Sequence, residues 1–296
     1  MVFYLLGDVS GTNTRLFISD DNGNIFNLVE YETRKIRDFS KFISKYIKDV
    51  GSDFLPERAI FACAGYSDEK NKSINDSVRL TNADVLIDKN DVILKTCLRE
   101  VELIHDFEAV SRGFNSVCNY EVLSEFRGGK TLVIGAGTGL GVGVLDGENY
   151  YNTEGGHRTF RIEEVELERF FYERFGKEEV EWEDILSGRG LERLYEFYSS
   201  CRESVERFSK RKDDEYVIET YEEFFYYYGL AARYFAELYD CCDIVIAGGI
   251  IAKSWDFFNK KDFLRILGNE FGVKIILDYN VSLYGLIEAT KIYFKE

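Results

Sequence analysis

The chain has 296 residues, 45% of them hydrophobic and 30% charged, which suits one large or two ordinary globular domains and excludes disordered, collagen-like and repeat-fibre architectures. Its 53 acidic against 37 basic residues leave a net charge of −16, which repels phosphate backbones and anionic membranes and removes both from the expected partners. No stretch approaches the roughly 20 apolar residues of a membrane helix, and residues 1–8 lack the basic start and apolar core of a secretion signal, so a cytoplasmic protein is expected.

Six cysteines (Cys63, Cys97, Cys118, Cys201, Cys241 and Cys242) lack C-x-x-C spacing. They read as buried free thiols of a reducing compartment, not as a disulfide framework or zinc site. In chain order, residues 2–6 form an apolar β-type run stopped by Gly7-Asp8. Residues 15–19 and 25–31 give two further strands around the turn Asp20-Asp21-Asn22-Gly23-Asn24, so the chain opens with a β-meander. Phe39, Phe42, Ile43, Tyr46, Ile47 and Val50 then recur at helical spacing and share one face. Strands are predicted at 59–64, 78–80 and 102–105 with a helical segment at 83–98, and this first unit ends at about residue 105.

A second unit repeats the opening pattern. Residues 131–134 form a buried strand that runs into Gly135-Ala136-Gly137-Thr138-Gly139-Leu140-Gly141, and residues 142–145 return as a second strand. Helices are predicted over 163–175, 182–186, 191–207 and 221–238; the last, rich in Tyr and Phe, reads as a packed core helix, not an aromatic platform. The charge run 207–215 reads as a solvated loop. A third strand, 244–247, followed by Gly248-Gly249, precedes a helix, a strand at 273–277 and a closing helix from Tyr284. Strands and helices alternate as in an α/β fold.

Two turns share one chemical design: Asp8-Val9-Ser10-Gly11-Thr12-Asn13 and Gly137-Thr138-Gly139-Leu140-Gly141. Glycines admit an anion close to the backbone, and a threonine hydroxyl with successive N–H groups supplies donors for phosphate oxygens. Competing signatures fail on the letters. Leu140 breaks the dinucleotide pattern G-x-G-x-x-G, and Ser124 stands where the Walker A loop ending at Lys130-Thr131 needs its first glycine. That segment, 126–131, reads as an ordinary turn.

Three carboxylate groups complete the candidates. Asp106 follows an apolar strand, where it can accept a proton from a substrate hydroxyl or simply cap the next helix. Glu154-Gly155-Gly156-His157 suits hydroxyl recognition, because a carboxylate accepts two O–H bonds. Glu183 sits on a short helix before Gly188, where a solvated face is the plainer reading. Both histidines of the chain, His105 and His157, fall in these segments.

Taken in order, the Asp8–Asn13 turn, Ile104-His105-Asp106-Phe107 with Ala109-Val110, Gly135–Gly141, Glu154–His157, Leu186-Ser187-Gly188-Arg189-Gly190-Leu191 and Ile246-Ala247-Gly248-Gly249-Ile250 resemble the bacterial-type glucokinases. The resemblance implies an α/β fold of the actin and hexokinase type, with two RNase-H-like lobes and the active site in the cleft between them. A small lobe of residues 1–105 would be completed by helix 284–296, and a large lobe would span 106–283. It implies ATP-dependent phosphorylation of D-glucose to glucose 6-phosphate, in a homodimer. On matching positions, Asp106 would be the catalytic base, and His105, Glu154, His157, Glu183 and Asn82 would contact the sugar. Asp8 would orient Mg²⁺ through water. Gly11, Thr12 and Asn13 with Gly137, Thr138 and Gly139 would hold the ATP phosphates, and Gly248 and Gly249 would border the adenosine.

The chain departs from that pattern at three places. His105 replaces the family's Asn, Arg189 replaces a Pro, and the region around Ala64-Gly65-Tyr66 is diverged. The C-x-C-G-x-x-G-C zinc run of the related ROK group is lacking, so no structural zinc is expected. His105 keeps open a kinase for another hexose or an amino sugar such as an N-acetylated hexose; the reading from a different class is a catalytically silent sugar sensor.

Overall fold

The computed structural model describes residues 2–67, 76–81 and 83–295. Its elements run β1 (Phe3–Val9), β2 (Asn13–Asp20), β3 (Ile25–Glu32), α1 (Phe39–Val50), β4 (Arg58–Cys63), β5 (Gly65–Ser67), β6 (Ser77–Leu80), β7 (Leu86–Asp88), α2 (Lys89–Lys95), β8 (Glu100–His105) and α3 (Asp106–Gly113). They continue as β9 (Tyr120–Ser124), β10 (Thr131–Ala136), β11 (Leu140–Asp146), β12 (Asn149–Asn152), β13 (Thr159–Phe160), α4 (Val165–Phe175), β14 (Val180–Glu181), α5 (Trp182–Ile185), α6 (Gly188–Ser199) and α7 (Val205–Phe208). The chain closes with α8 (Glu215–Leu238), β15 (Asp243–Ala247), α9 (Gly249–Lys253), α10 (Lys260–Leu267), β16 (Gly272–Ile276) and α11 (Val281–Tyr293).

These elements pack as two compact units, Met1–Val117 with Asn280–Glu296, and Cys118–Tyr279. In the first, the sheet order is β3-β2-β1-β4-β8, with β1 to β3 antiparallel and β1, β4 and β8 parallel. The two-residue period of the strands divides its side chains between two cores. Leu5, Phe61 and Val101 face Phe39, Ile43 and Ile47 of α1, while Leu6, Ile60 and Ile104 face Ala109 of α3 and Leu283 and Leu286 of α11. Asp38 caps α1 by accepting from the Lys41 N–H at 3.0 Å. Helices α3 and α11 touch backbone to backbone. A Cβ on Gly285 would lie 1.6 Å from the Ala109 carbonyl oxygen, and one on Gly113 2.0 Å from that of Val281.

The second unit repeats the scheme with the order β12-β11-β10-β15-β16-β9, in which β10, β15 and β16 are parallel. Helix α8 drives Phe224, Tyr228 and Phe235 into a core shared with Ile134, Ile246 and Ile275. It is the packed aromatic helix expected from its composition.

Several expectations need correction. The unit boundary falls beyond residue 105, because α3 packs on α11, and the return begins at Asn280, ahead of residue 284. Residues 83–98 are not one helix: buried Val85 and Ile87 alternate into β7, and Asp88 caps a short α2 by accepting from the Asp91 N–H at 3.0 Å. The helix expected over 191–207 breaks at Ser200, whose φ of 58° is left-handed. Cys63 and Cys241 are buried, but Cys97, Cys118, Cys201 and Cys242 are exposed, all six being free thiols. Segment 126–130 is an irregular connection, not a regular turn, and Thr131 already opens β10; the Arg127 and Gly128 N–H groups donate to Asp243 at 2.8 and 2.9 Å. The charged 207–215 stretch begins within α7, and Arg211 pins it through Glu203 and Asp214.

Candidate active site

Three parallel strands of the first unit end level with one another, Val9, Cys63 and His105 being register partners across β1, β4 and β8. Asp8, next to last in β1, and Asp106, just past β8, therefore share the carboxyl edge of the sheet, where α/β folds place their reactive groups. Cys63 senses both. Its thiol is fully buried and is pushed well above its usual value, first by desolvation and then by the charges of Asp106 and Asp8.

Asp106 opens α3. Its Oδ1 accepts from the Phe107 N–H at 2.9 Å, and the same N–H donates to His105 Nδ1 at 3.2 Å. His105 Nδ1 stands 3.1 Å from Asp106 Oδ1. The capping position thus belongs to His105, not to Asp106, and the Asp106 side chain keeps 38% of its surface exposed.

Asp8 is engaged across the hairpin. Its register partner on β2 is Arg15, with which it forms an ion pair. Asp8 Oδ2 also accepts from Ser282 Oγ at 2.8 Å, and Arg15 Nη2 donates to that Oγ at 2.8 Å. The adjoining turn is closed by Ser10 N–H to the Asn13 carbonyl at 3.0 Å and Asn13 N–H to Ser10 Oγ at 3.2 Å. Neither bond uses the N–H of Gly11 or Thr12, whereas that of Asn13 is committed within the turn.

In the second unit the turn after β10 is built likewise. Gly137 N–H donates to the Gly139 carbonyl at 2.8 Å, a bond that uses neither the Thr138 nor the Gly139 N–H, and Thr138 is exposed. The Gly137 carbonyl accepts from Gly188 N–H, at the start of α6, at 2.9 Å. Gly248, at φ 100°, lies so close to β10 that a Cβ would stand 2.3 Å from the Ala136 carbonyl oxygen, while a Cβ on Gly137 or Gly249 would meet nothing within 4 Å. Both strand ends are tied by the buried Tyr228 hydroxyl. It accepts from the Ala136 N–H at 3.0 Å and reaches the carbonyls of Ile134 and Ala247 at 3.1 and 2.9 Å.

Glu183 links this turn to the segment Glu154–His157. Its Oε2 accepts from the Leu140 N–H at 2.9 Å, and a Cβ at residue 139 would stand 2.4 Å from that oxygen, so a side chain there would have to push the Glu183 carboxylate aside. Its Oε1 lies 3.7 Å from exposed Arg189. The single turn of α5 that carries Glu183 is braced by Asp184, which accepts from the Glu181 N–H at 3.0 Å and pairs with Arg193 at 2.7 Å and Lys177 at 3.0 Å. Burial opposes the charged form of Asp184, yet these partners hold its carboxyl below the usual range.

His157 Nδ1 stands 3.2 Å from Glu181 Oε2. That bond raises the imidazole above its ordinary value, with the charges of Glu183, Glu181 and Glu154 adding to it and burial opposing. Glu154 itself adopts a left-handed φ of 48° and accepts from Asn152 Nδ2 at 2.7 Å.

The structure therefore gathers Asp8, Gly11, Thr12, Asn13, His105 and Asp106 on one edge of the first unit. In the second, Glu183 joins the Gly137–Gly139 turn to the surroundings of His157 and Glu154. Asn82 lies outside the described residues. Arg15, Ser282 and Glu181 were not foreseen. Arg15 could have been found by counting β1 against β2 across the hairpin, but Ser282, 274 residues from Asp8, leaves no local signal.

The glucokinase family profile matches residues 5–279. A glucokinase of Nostoc sp. is 29% identical over 214 residues, 67% of this chain but 60% of the Nostoc protein, so the chain matches less than two thirds of that relative's length. Among solved structures, a glucokinase from an Antarctic psychrotroph superposes with a TM-score of 0.80 at 20% identity, covering 98% of both chains. A Balamuthia mandrillaris glucokinase in complex with glucose gives 0.79 at 17% identity, covering 98% of this chain and 94% of that one. The fold is thus that of the actin- and hexokinase-type sugar kinases, and the chain belongs to the glucokinase family.

Proposed function

We propose that the chain transfers the terminal phosphoryl group of ATP to the 6-hydroxyl of glucose, with Asp106 as the base. The observation that carries this reading is the placement of Asp106 and Asp8 on one carboxyl edge of a parallel sheet, a base for the attacking hydroxyl beside a carboxylate for the metal side. Phosphoryl transfer asks little more of a protein than in-line positioning and donors for the phosphate charge. The N–H groups of Gly11, Thr12, Thr138 and Gly139, for which no hydrogen bond is found among the described residues, suit those oxygens. Gly248 and Gly249 border the adenosine, and Glu154, His157, Glu183 and Asn82 bind the sugar hydroxyls.

The donor set at Asp8 fits a Mg²⁺ ion carried by the nucleotide. Such an ion keeps several waters and takes one or two carboxylates alongside substrate phosphates. Asp8 offers that single carboxylate, and among the described residues no group of three or more His, Cys, Asp or Glu forms a cage. When bound, Mg²⁺ neutralises charge developing on the phosphoryl oxygens. Asp106 meanwhile accepts the hydroxyl proton, and His105 orients it through the shared Phe107 N–H.

His105 sustains a second reading. Its Nδ1 is engaged with the Phe107 N–H and lies 3.1 Å from Asp106 Oδ1, so one ring nitrogen, Nε2, is left for a sugar hydroxyl, where an Asn would present a donor and an acceptor. A different hexose or an amino sugar would fit that change. No helix among the described residues is long and apolar enough to cross a membrane, and cytoplasmic residence as a homodimer belongs to the same proposal.

The test is sugar-dependent ADP release with Mg-ATP across hexoses and amino sugars, beside Asp106→Asn. Turnover on glucose should fall about 10²- to 10⁴-fold in the variant, with the KM for glucose moving far less. Near-normal turnover in a folded Asp106→Asn protein overturns the base assignment. Preference for another sugar moves the substrate, and sugar binding without ADP release turns the chain into a sensor.

A further inference from the structure

The Asp8 carboxylate is held from one side only. Oδ2 takes both the Arg15 ion pair and the Ser282 hydroxyl, while Oδ1 makes no hydrogen bond among the described residues. Ser282 has one proton to give, and it goes to Asp8. The Ser282 oxygen in turn accepts from Arg15 Nη2, closing a three-membered ring of buried and half-buried groups. Ser282 is 6% exposed and sits in the first turn of α11. That helix cannot slide, because Gly285 and Gly113 bring its backbone into contact with α3, the helix that begins at Asp106. The position of the Ser282 hydroxyl is therefore set by the same helix crossing that sets Asp106.

We propose that Ser282 is a positioning residue for the Asp8 carboxylate, fixing its rotation so that Oδ1 is presented to the hydration shell of the nucleotide-borne divalent cation. Arg15 alone does not do this. A guanidinium attracts either oxygen of a carboxylate and leaves its rotation free to exchange one for the other. The Ser282 bond selects Oδ2 and thereby assigns the two oxygens different tasks. A hydrogen bond to a charged acceptor is among the stronger ones in a protein, and this one is shielded from solvent on the Ser282 side. The inference rests on the proposed role of Asp8 but places a residue 274 positions away in the metal half of the reaction.

The test compares the wild-type chain with Ser282→Ala and Ser282→Thr. Binding of Mn²⁺ in the presence of AMP-PNP is followed by electron paramagnetic resonance, a readout independent of turnover, and Mg²⁺ half-saturation and the KM for glucose are measured alongside. Ser282→Ala should weaken Mn²⁺ binding and raise Mg²⁺ half-saturation about 10-fold, a loss within the range for a charge-assisted hydrogen bond. The KM for glucose should stay near wild type while the thermal midpoint falls by no more than a few degrees, and Ser282→Thr should restore most of the loss. Mn²⁺ titrations that coincide for wild type and Ser282→Ala overturn the proposal, as does a loss in which glucose and metal affinities fall together with stability. If the wild type binds Mn²⁺ with AMP-PNP but turns over no sugar, the kinase reading fails while the Ser282 effect on the metal still tests this one.

Discussion

Replacing Tyr228 by Phe removes one oxygen from the middle of the second unit and tests how the strand ends that lead into Gly137 and Gly248 are held. The hydroxyl is fully buried and pushed up by desolvation, so it stays neutral, accepting one N–H and reaching two carbonyls. Its loss strands the buried Ala136 N–H, at about 1–3 kcal/mol for an unsatisfied donor. The carbonyls of Ile134 and Ala247 retain a second lone pair each and add less. A total of about 2–3 kcal/mol follows, which for a domain of this size lowers the melting midpoint by roughly 4–12 °C. Urea unfolding read by circular dichroism gives the free energy, and ATP titration gives the functional share. Because Ala136 and Ala247 immediately precede Gly137 and Gly248, ATP should bind more weakly while the KM for glucose changes little. A loss below about 0.5 kcal/mol, with unaltered ATP affinity, would refute the view that this hydroxyl ties the two strand ends.

Two glycines near the same turns should respond in opposite ways. Gly137→Ala meets open space and should keep wild-type stability while weakening ATP binding, whereas Gly248→Ala, strained at φ 100° and 2.3 Å from the Ala136 carbonyl oxygen, should lower the unfolding midpoint sharply; equal stability in the two variants contradicts this. The raised pKa of His157 predicts a pH effect. The imidazolium form is fully populated below the ordinary imidazole value and is lost as pH rises through the folded value, so the KM for glucose should climb there. Glu181→Gln should move that climb to lower pH, and superimposable KM profiles for the two proteins would remove Glu181 from the account.

Much of this architecture was legible because local rules governed it. The six apolar residues of α1 lie on one face in the structure as their spacing demands, four of them buried and Phe42 and Val50 packed at the edge. The two glycine turns stood out because a cluster of glycines beside a threonine after an apolar strand is a local pattern that admits an anion close to the backbone. Edge strand β9 escaped notice, since its half-exposed residues carry no clean alternation. The break at Ser200 was hidden because a left-handed residue other than glycine leaves no mark in composition. In the site, Asp8, His105 and Asp106 were readable from strand ends. The bond from Leu140 to Glu183, the ring through Ser282 and the partnership of Glu181 with His157 depend on tertiary placement that no window of sequence contains.

The route of the backbone has a consequence for the order of assembly. Residues Cys118–Tyr279 form one uninterrupted unit, whereas the other needs α11 from the far end of the chain to cover Leu6, Ile60 and Ile104. During synthesis the internal segment can complete its core as soon as it emerges, while the earlier-made sheet waits with one apolar face open until residue 293 is available. Closing that span carries an entropic toll that grows only with the logarithm of its length. A nascent chain halted before α11 should therefore bind chaperones through its amino-terminal portion, even though that portion was translated first.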